Sequence, residues 1–173
     1  MANQDNFKSP DYYLLDELLS DEHLLIRKSI REFVKKEISP IIEEACQTCV
    51  FPHTILPQLG SLGCFGPFIP TQYGGAELDQ ISYGLIMQEL ERGDSGIRST
   101  ASVQSSLVMF PIFKYGTEEQ RKKYLNKLAT GEMMGCFGLT EPNHGSNPGG
   151  MESKFKDMGD HFLLNGSKLW ISN

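Results

Sequence analysis

The sequence changes its periodicity near Gly131, and this change constrains the fold more than any other feature. Before Gly131, apolar residues recur at spacings of three and four, which is typical of helices with one buried face. After it, short apolar runs are separated by turn signals at Gly159-Asp160 and Asn165-Gly166. The pattern predicts an α+β chain, in which an all-α helical domain (residues 1–132) precedes the first strands of an antiparallel β domain (residues 133–173).

The clearest helical pattern lies between residues 20 and 49. Ser20, followed by two carboxylates, is a favourable helix start because these side chains complement the free amides of the first turn. Pro40 should bend this helix, since proline removes a backbone donor and crowds the preceding turn. The apolar stripe consists of Ile26, Ile30, Phe33, Val34, Ile38, Ile41 and Ile42.

Further helices are predicted over about 54–62, 78–93, 97–113 and 118–129. The third of these is apolar on nearly all sides but contains four serines, which indicates a buried helix with a close neighbour. Thr117 and Gln120 form a capping box at the start of the last. The apolar run at 133–139 is predicted as the first strand.

The region after residue 132 supplies about three strands, which are too few to close a barrel or a sandwich. The sequence also stops directly after a predicted strand, at Asn173. We therefore expect it to be a fragment, or a part of a larger gene product.

Composition disfavours several classes of protein. Of the 173 residues, 39% are hydrophobic and 22% are charged, as in ordinary soluble globular domains. The net charge of −6 disfavours binding to nucleic acids and to anionic membranes. No run approaches the roughly eighteen apolar residues of a membrane span, and the N-terminus is polar, so we expect a cytoplasmic protein.

The four cysteines are too few and too irregularly spaced for a disulfide framework, and we expect reduced thiols. Cys46 and Cys49 have a spacing found in zinc sites, but no second pair follows and they continue an amphipathic helix, so no metal site is predicted. Cys64 and Cys136 are interpreted as small buried apolar groups. His144 is interpreted as a turn histidine that faces solvent.

The densest functional signal lies in residues 136–147, where a predicted strand opens into a loop. Free backbone amides at a strand exit, with the hydroxyls of Thr140 and Ser146, suit an electron-rich planar or phosphorylated ligand. Gly145 would let such a ligand approach closely. From residue types alone, a polar turn stabilised by Asn and Pro is the alternative. Trp170 could cover a ring or fill the core.

Three motifs together resemble the acyl-CoA dehydrogenases, flavoproteins that oxidise fatty and related acyl thioesters. They are YGTEEQRKKYL at 115–125, LTEPNHGS at 139–146 and NGSKLWISN at 165–173. The resemblance covers essentially the whole chain and implies the N-terminal helical domain and the first strands of the middle β domain. The family places a C-terminal helical bundle after these. Asn147 stands where the family usually has Asp.

Within the family, ERGDSGIRS at 91–99 and SVQSSLVM at 102–109 resemble the glutaryl-CoA dehydrogenase branch. Arg98 is the informative residue, because a planar guanidinium can hold a substrate carboxylate by two charge-assisted hydrogen bonds. Ser99 would add a further donor. A surface pair between Arg98 and Asp94 is the structural alternative.

The resemblance also implies FAD as the cofactor. Thr140 and nearby amides would hydrogen-bond the reacting edge of the isoalloxazine, where donors stabilise the charge that accumulates on reduction. Ser146 would contact both the flavin diphosphate and the pantetheine arm, which makes it a substrate-binding residue together with Arg98 and Ser99. The implied cofactor-binding residues are Phe137, Gly138, Leu139, Thr140, Gly145, Ser146, Trp170, Ile171 and Ser172.

In this family a carboxylate base removes the α-proton of the thioester while hydride leaves the β-carbon, and the glutaryl branch then loses CO2 to give crotonyl-CoA. The resemblance places that base in the C-terminal bundle, so no catalytic residue is assigned in these 173 residues. Glu141 is expected instead to hold its loop through backbone amides. The resemblance also implies an electron-transfer flavoprotein as acceptor and a homo-oligomer.

Two alternative functions remain open at this point. Within the family, a short-chain monocarboxylic acyl-CoA dehydrogenase is the alternative to the glutaryl enzyme. Outside enzymes, the chain could be a non-catalytic helical interaction module with a β-hairpin tail, since half a β domain would leave open strand edges. The pattern from Gly138 to Ser146 argues against this alternative, because a scaffold does not need that loop chemistry.

Overall fold

The computed structural model describes residues 11–173, and helices account for most of the chain between Asp21 and Ala129. The α-helices are α1 (Asp21–Phe33), α2 (Ile42–Thr48), α3 (Leu56–Ser61), α4 (Gln80–Gly93), α5 (Ser95–Ser102), α6 (Phe110–Tyr115) and α7 (Glu118–Ala129). Two π-helical stretches, Val34–Ile38 and Val103–Met109, continue α1 and α5. Short 3-10 turns lie at Leu15–Leu18, His53–Ile55, Thr71–Tyr73 and Pro148–Gly150.

The start of α1 is fixed by a reciprocal cap, as predicted from Ser20. The Ser20 hydroxyl accepts from the His23 amide at 3.2 Å, and His23 Nδ1 accepts from the Ser20 amide at 3.2 Å. Because Nδ1 is an acceptor, the ring proton lies on Nε2, which donates to the Asp79 carboxylate at 2.9 Å. Asp79 in turn caps α4 by accepting from the Ser82 amide at 2.8 Å. The two helix starts are therefore joined.

Pro40 interrupts the first long helix, and the predicted bend is confirmed as a full break. The chain widens into a π turn, closed by the Ser39 amide donating to the Val34 carbonyl at 2.8 Å. Residues 39–41 form a turn, and the α-helical hydrogen-bond pattern resumes as α2 at Ile42. Proline has no amide to continue the hydrogen-bond ladder, which accounts for the position of the break.

The core lies between α1, α4, α5 and α7, and it includes one buried charge. Glu89 of α4 is fully buried, and its carboxylate accepts two hydrogen bonds from Arg31 of α1, at 2.8 and 2.9 Å. Arg92 approaches the same carboxylate at 3.3 Å. The largest fully buried apolar residues are Phe65, Ile38, Ile55, Leu59, Ile69, Ile86, Leu90, Ile97, Met109 and Leu125.

The β part contains one antiparallel hairpin, β1 (Lys154–Asp157) and β2 (Phe162–Asn165). Lys154 pairs with Asn165 and Asp157 with Phe162, around a turn in which Gly159 has φ +97°. The α+β fold class is confirmed. The predicted strand at 133–139 is wrong, because no neighbouring segment in the described chain forms a backbone ladder with it.

The cysteines are free thiols, and one prediction about them is wrong. Cys64 is buried, and this burial raises its pKa to about 12. Cys136 was predicted to be buried but is exposed, because the segment around it packs on few neighbours. No group of three or more metal-ligating side chains forms within residues 11–173. None of the described helices is both long and apolar enough to cross a membrane.

Candidate functional site

Gln104 fixes the path of the chain as it leaves the helical part. Its amide group is fully buried, and Nε2 donates to the carbonyls of Leu128 and Met133, both at 2.8 Å. Its Oε1 accepts from the Gly135 amide at 2.9 Å. A single side chain thus joins the end of α7 to the segment that enters the candidate site. Gln104 was not predicted to have this role. Its position in a helix predicted to be buried could have indicated that its amide needs hydrogen-bond partners.

The segment that follows is open on one side. Phe137, Gly138 and Leu139 are exposed, and Thr140 is half-buried. Within residues 11–173, the amides of residues 136–138 and of Thr140 have no protein acceptor. Exposed backbone donors beside apolar side chains fit the polar edge and the ring face of a flavin.

A second segment, residues 168–172, runs beside the first. The Leu169 amide donates to the Thr140 carbonyl at 2.9 Å, and Lys168 Nζ donates to the Leu139 carbonyl at 3.0 Å. Trp170 is 85% exposed and has φ +58°, an uncommon conformation for a residue with a side chain. Ile171 is half-buried and Ser172 is exposed. We call residues 137–140 and 170–172 together the candidate cofactor surface.

Glu141 holds the loop that leaves this surface, as expected from the sequence. Its carboxylate is buried and accepts from the backbone amides of Glu152 at 2.6 Å and Ser153 at 3.0 Å. It also pairs with Lys168 at 2.9 Å. Hydrogen-bond donors from Ser153, Lys168 and Glu152 hold the pKa of Glu141 well below its usual range. A carboxyl in this state is a structural anion and cannot serve as a general base near neutral pH.

The loop itself presents Gly145 and Ser146 on the surface. A Cβ atom at Gly145 would meet no protein atom within 4 Å, so the position is open to an external group. His144 was predicted to face solvent, and this is wrong. Its side chain is half-buried and lies 3.5 Å from Glu152, because the loop folds back on itself through paired backbone bonds between residues 141 and 144.

Arg98 lies on α5, at a distinct part of the molecule, and pairs with Glu91. Its Nε donates to the Glu91 carboxylate at 2.6 Å, and Nη1 lies 3.5 Å from the Ser102 hydroxyl. The alternative pairing with Asp94 is wrong, because the Asp94 carboxylate caps α5 by accepting from the Ile97 amide at 2.8 Å. The hydrogen bond from Arg98 lowers the pKa of Glu91.

The outer edge of the Arg98 guanidinium is available. In the part of the chain that the structure describes, Nη2 has no hydrogen-bond partner, and the side chain is 35% exposed. Ser99, beside it on the helix, is half-buried. The structure connects α5 to the candidate cofactor surface through Asn173, whose amide donates to the carbonyls of Thr100 at 3.3 Å and Gly135 at 3.2 Å.

These features can now be compared with known proteins. A family model described as the acyl-CoA dehydrogenase N-terminal domain matches residues 20–132. The chain belongs to the acyl-CoA dehydrogenase family. The predicted family resemblance is therefore confirmed.

Among the family's curated members, a probable acyl-CoA dehydrogenase of Bacillus subtilis is 41% identical over 157 residues, which are 90% of this chain and 41% of that protein. A glutaryl-CoA dehydrogenase of Desulfococcus multivorans is 40% identical over 162 residues, which are 92% of this chain and 42% of that protein.

A solved acyl-CoA dehydrogenase structure shows the same fold. The glutaryl-CoA dehydrogenase from Mycobacterium smegmatis in complex with FADH2 matches with a TM-score of 0.87 and 44% identity, over 90% of this chain and 40% of that chain. The chain therefore spans about two fifths of the length of these relatives.

Proposed function

We propose that this chain contributes part of the FAD site and part of the acyl-CoA site of an acyl-CoA dehydrogenase. The observation that carries the proposal is the candidate cofactor surface, where two motif segments lie side by side with free amides and an exposed tryptophan. The relative that was crystallised with FADH2 shares this fold over the same part of its chain. FAD, when bound, would supply the acceptor for the hydride that leaves the substrate.

Each segment of the surface has a separate task in this proposal. Thr140 and the free amides of residues 136–138 donate to the polar edge of the flavin, and Trp170 covers a ring face. Ile171 and Ser172 extend the same wall. Gly145 and Ser146, in the open loop, leave room for the diphosphate and the pantetheine arm.

We further propose glutaryl-CoA, with loss of CO2 to crotonyl-CoA, as the substrate and reaction. Support comes from Arg98, because Glu91 occupies Nε and leaves the Nη edge able to hold a second carboxylate by charge-assisted hydrogen bonds. Ser99, the next residue of α5, is half-buried and is proposed as a further donor. The identity of 40% to a glutaryl-CoA dehydrogenase supports the same branch. An electron-transfer flavoprotein as acceptor, a homo-oligomer and a cytoplasmic location belong to this proposal.

The boundary between the two domains is proposed at residues 132 and 133. Gln104 supports this position, because it bonds to the carbonyl of Met133 from within the helical core. Within residues 11–173, all buried residues except Glu141 precede that bond, whereas the segment after it is largely exposed. The proposed domains are therefore residues 1–132 and 133–173.

Fluorescence of Trp170, the one tryptophan of the chain, tests the cofactor proposal. Titration with FAD should quench its emission saturably and raise the anisotropy of the flavin fluorescence. Free tryptophan amide titrated with the same FAD solutions gives the background for light absorption by the flavin. Absence of both saturable signals in the 173-residue chain would contradict the proposal.

A further inference from the structure

Lys168 lies in the NGSKLWISN motif at 165–173 but was not predicted to be a site residue. Its Nζ donates to three acceptors: the Leu139 carbonyl at 3.0 Å, the Glu141 carboxylate at 2.9 Å and the Met151 sulfur at 3.4 Å. The side chain is 28% exposed, whereas the Glu141 side chain is 4% exposed. This ammonium group therefore joins three separate parts of the chain at the edge of the candidate cofactor surface.

The contacts of Lys168 set the register between the two segments of that surface. The side chain of Lys168 and the backbone amide of Leu169 bond to consecutive carbonyls, those of Leu139 and Thr140. These two bonds fix the distance between residues 137–140 and residues 168–172. They also prevent one segment from shifting along the other. Trp170 follows Leu169 directly, so its position relative to Thr140 depends on this pair of bonds.

We propose that Lys168 is a positioning residue for flavin binding, which acts by holding Trp170 in register with Thr140. The inference rests on the function proposed above. Lys168 itself does not need to touch the cofactor, because its three acceptors already use its three N–H donors.

Two local features explain why lysine suits this position. The stem of Lys168 passes over Gly138, where a Cβ atom would come within 3.7 Å of Lys168 Cγ. The compact ammonium can then reach acceptors in different directions, which the planar fork of an arginine cannot do. Glu141 needs this cation, since its carboxylate is buried and Lys168 is the one cation paired with it in residues 11–173.

The test compares Lys168→Gln with Lys156→Gln in the 173-residue chain. Lys156 is an exposed lysine of the hairpin, so its replacement changes the net charge equally. It leaves intact the clamp, by which we mean Lys168, Glu141 and the bonds between them and their neighbours. Two quantities are measured: the fluorescence anisotropy of Trp170 without flavin, and the Kd for FAD from the quenching of Trp170. Circular dichroism of the helices confirms that each variant is folded.

Lys168→Gln should lower the Trp170 anisotropy and raise the Kd for FAD about tenfold, the change expected for one charge-assisted hydrogen bond. Lys156→Gln should leave both unchanged. Glu141→Gln, which keeps the side-chain shape and removes the charge, should act in the same direction as Lys168→Gln. If Lys168→Gln unfolds the β part, the Trp170 anisotropy and the Kd for FAD of Glu141→Gln are compared with those of the wild type instead.

The outcomes separate this inference from the proposed function. If wild-type protein is quenched by FAD and both clamp variants match it in anisotropy and Kd, the positioning role is overturned while the flavin site stands. If wild-type protein is not quenched at all, the flavin site fails. A fall in Trp170 anisotropy in Lys168→Gln and Glu141→Gln would then still support the conclusion that Lys168 holds Trp170 in place.

Discussion

Arg98 bonds to Glu91 through Nε and has Nη2 available for the proposed substrate carboxylate, which gives a prediction about substrate choice. Replacing Arg98 by Ala in the full-length enzyme should lower kcat/KM for glutaryl-CoA relative to butyryl-CoA by about 100-fold, the effect of losing two charge-assisted hydrogen bonds. The variant should still fold, because the Glu91 carboxylate is 46% exposed and is hydrated by solvent after it loses Arg98.

Arg121→Ala is the matched control for this prediction. Arg121 lies on α7, 3.7 Å from Glu118, so its loss removes one guanidinium on a different helix from Arg98. The ratio of kcat/KM values for the two thioesters should not change in this variant. An unchanged ratio in Arg98→Ala as well would make the monocarboxylic short-chain enzyme the better assignment.

At the same scale, residue types predicted some contacts and missed others. Glu141 was correctly expected to hold its loop, because a carboxylate at the start of a loop commonly accepts hydrogen bonds from nearby backbone amides. The partner of Arg98 was wrong, since helical spacing allows both Glu91 and Asp94, and only the cap at Ile97 decides between them. Lys168 and Gln104 act across 27 and 31 residues, a distance over which sequence periodicity carries no information.

At the scale of elements, α1 and α4 are joined by the buried Glu89. Glu89→Ala should destabilise the chain by about 3–5 kcal/mol, because the substitution removes the buried carboxylate that pairs with both Arg31 and Arg92. Glu119→Ala, at an exposed position of α7, should change the free energy of unfolding by less than about 0.5 kcal/mol. Urea unfolding measures both. Similar losses in the two variants would contradict this role of Glu89.

The linked caps of α1 and α4 predict how stability depends on pH. Hydrogen bonds from Ser82 and His23 lower the pKa of Asp79 from 3.8 to about 2. A carboxyl with a depressed pKa in the folded state contributes stability that is complete above its unfolded pKa and is lost as the pH falls through its folded pKa. Asp79 therefore stabilises the fold fully above about pH 4 and loses this contribution down to about pH 2.

The measurement is the Tm of wild type and Asp79→Asn between pH 2 and pH 6. The wild type should melt at the higher temperature at pH 6, and the two curves should approach each other below about pH 4. A constant difference over the whole range would show that the charge of Asp79 does not contribute.

Element boundaries were predictable where a single side chain sets them. Ser20, Pro40 and the capping box at Thr117 and Gln120 lie where the structure starts or breaks its helices. The strand predicted at 133–139 failed for a different reason. A strand needs a neighbour for its backbone bonds, and an apolar run does not specify that neighbour.

At the scale of the whole molecule, the β part leaves apolar surface open. Phe155 and Phe162 lie edge to face across the hairpin with ring centroids 5.5 Å apart, yet both are exposed, as is Leu164. The apolar runs and turn signals predicted a hairpin but not which of its faces would be covered. The relatives are more than twice as long, which fits a surface that further chain covers in them.

The distribution of carboxylates predicts that these 173 residues alone do not oxidise glutaryl-CoA. Removal of an α-proton needs a base whose pKa lies near the working pH. The two buried carboxylates of the described chain are Glu89, paired with Arg31, and Glu141, whose pKa is held low by its donors. Neither carboxylate can leave its hydrogen-bond partners to accept a substrate proton without disrupting the local structure. Incubation with FAD, glutaryl-CoA and an artificial electron acceptor should therefore give no turnover, and reduction of the acceptor that depends on glutaryl-CoA would show that the chain already contains its base.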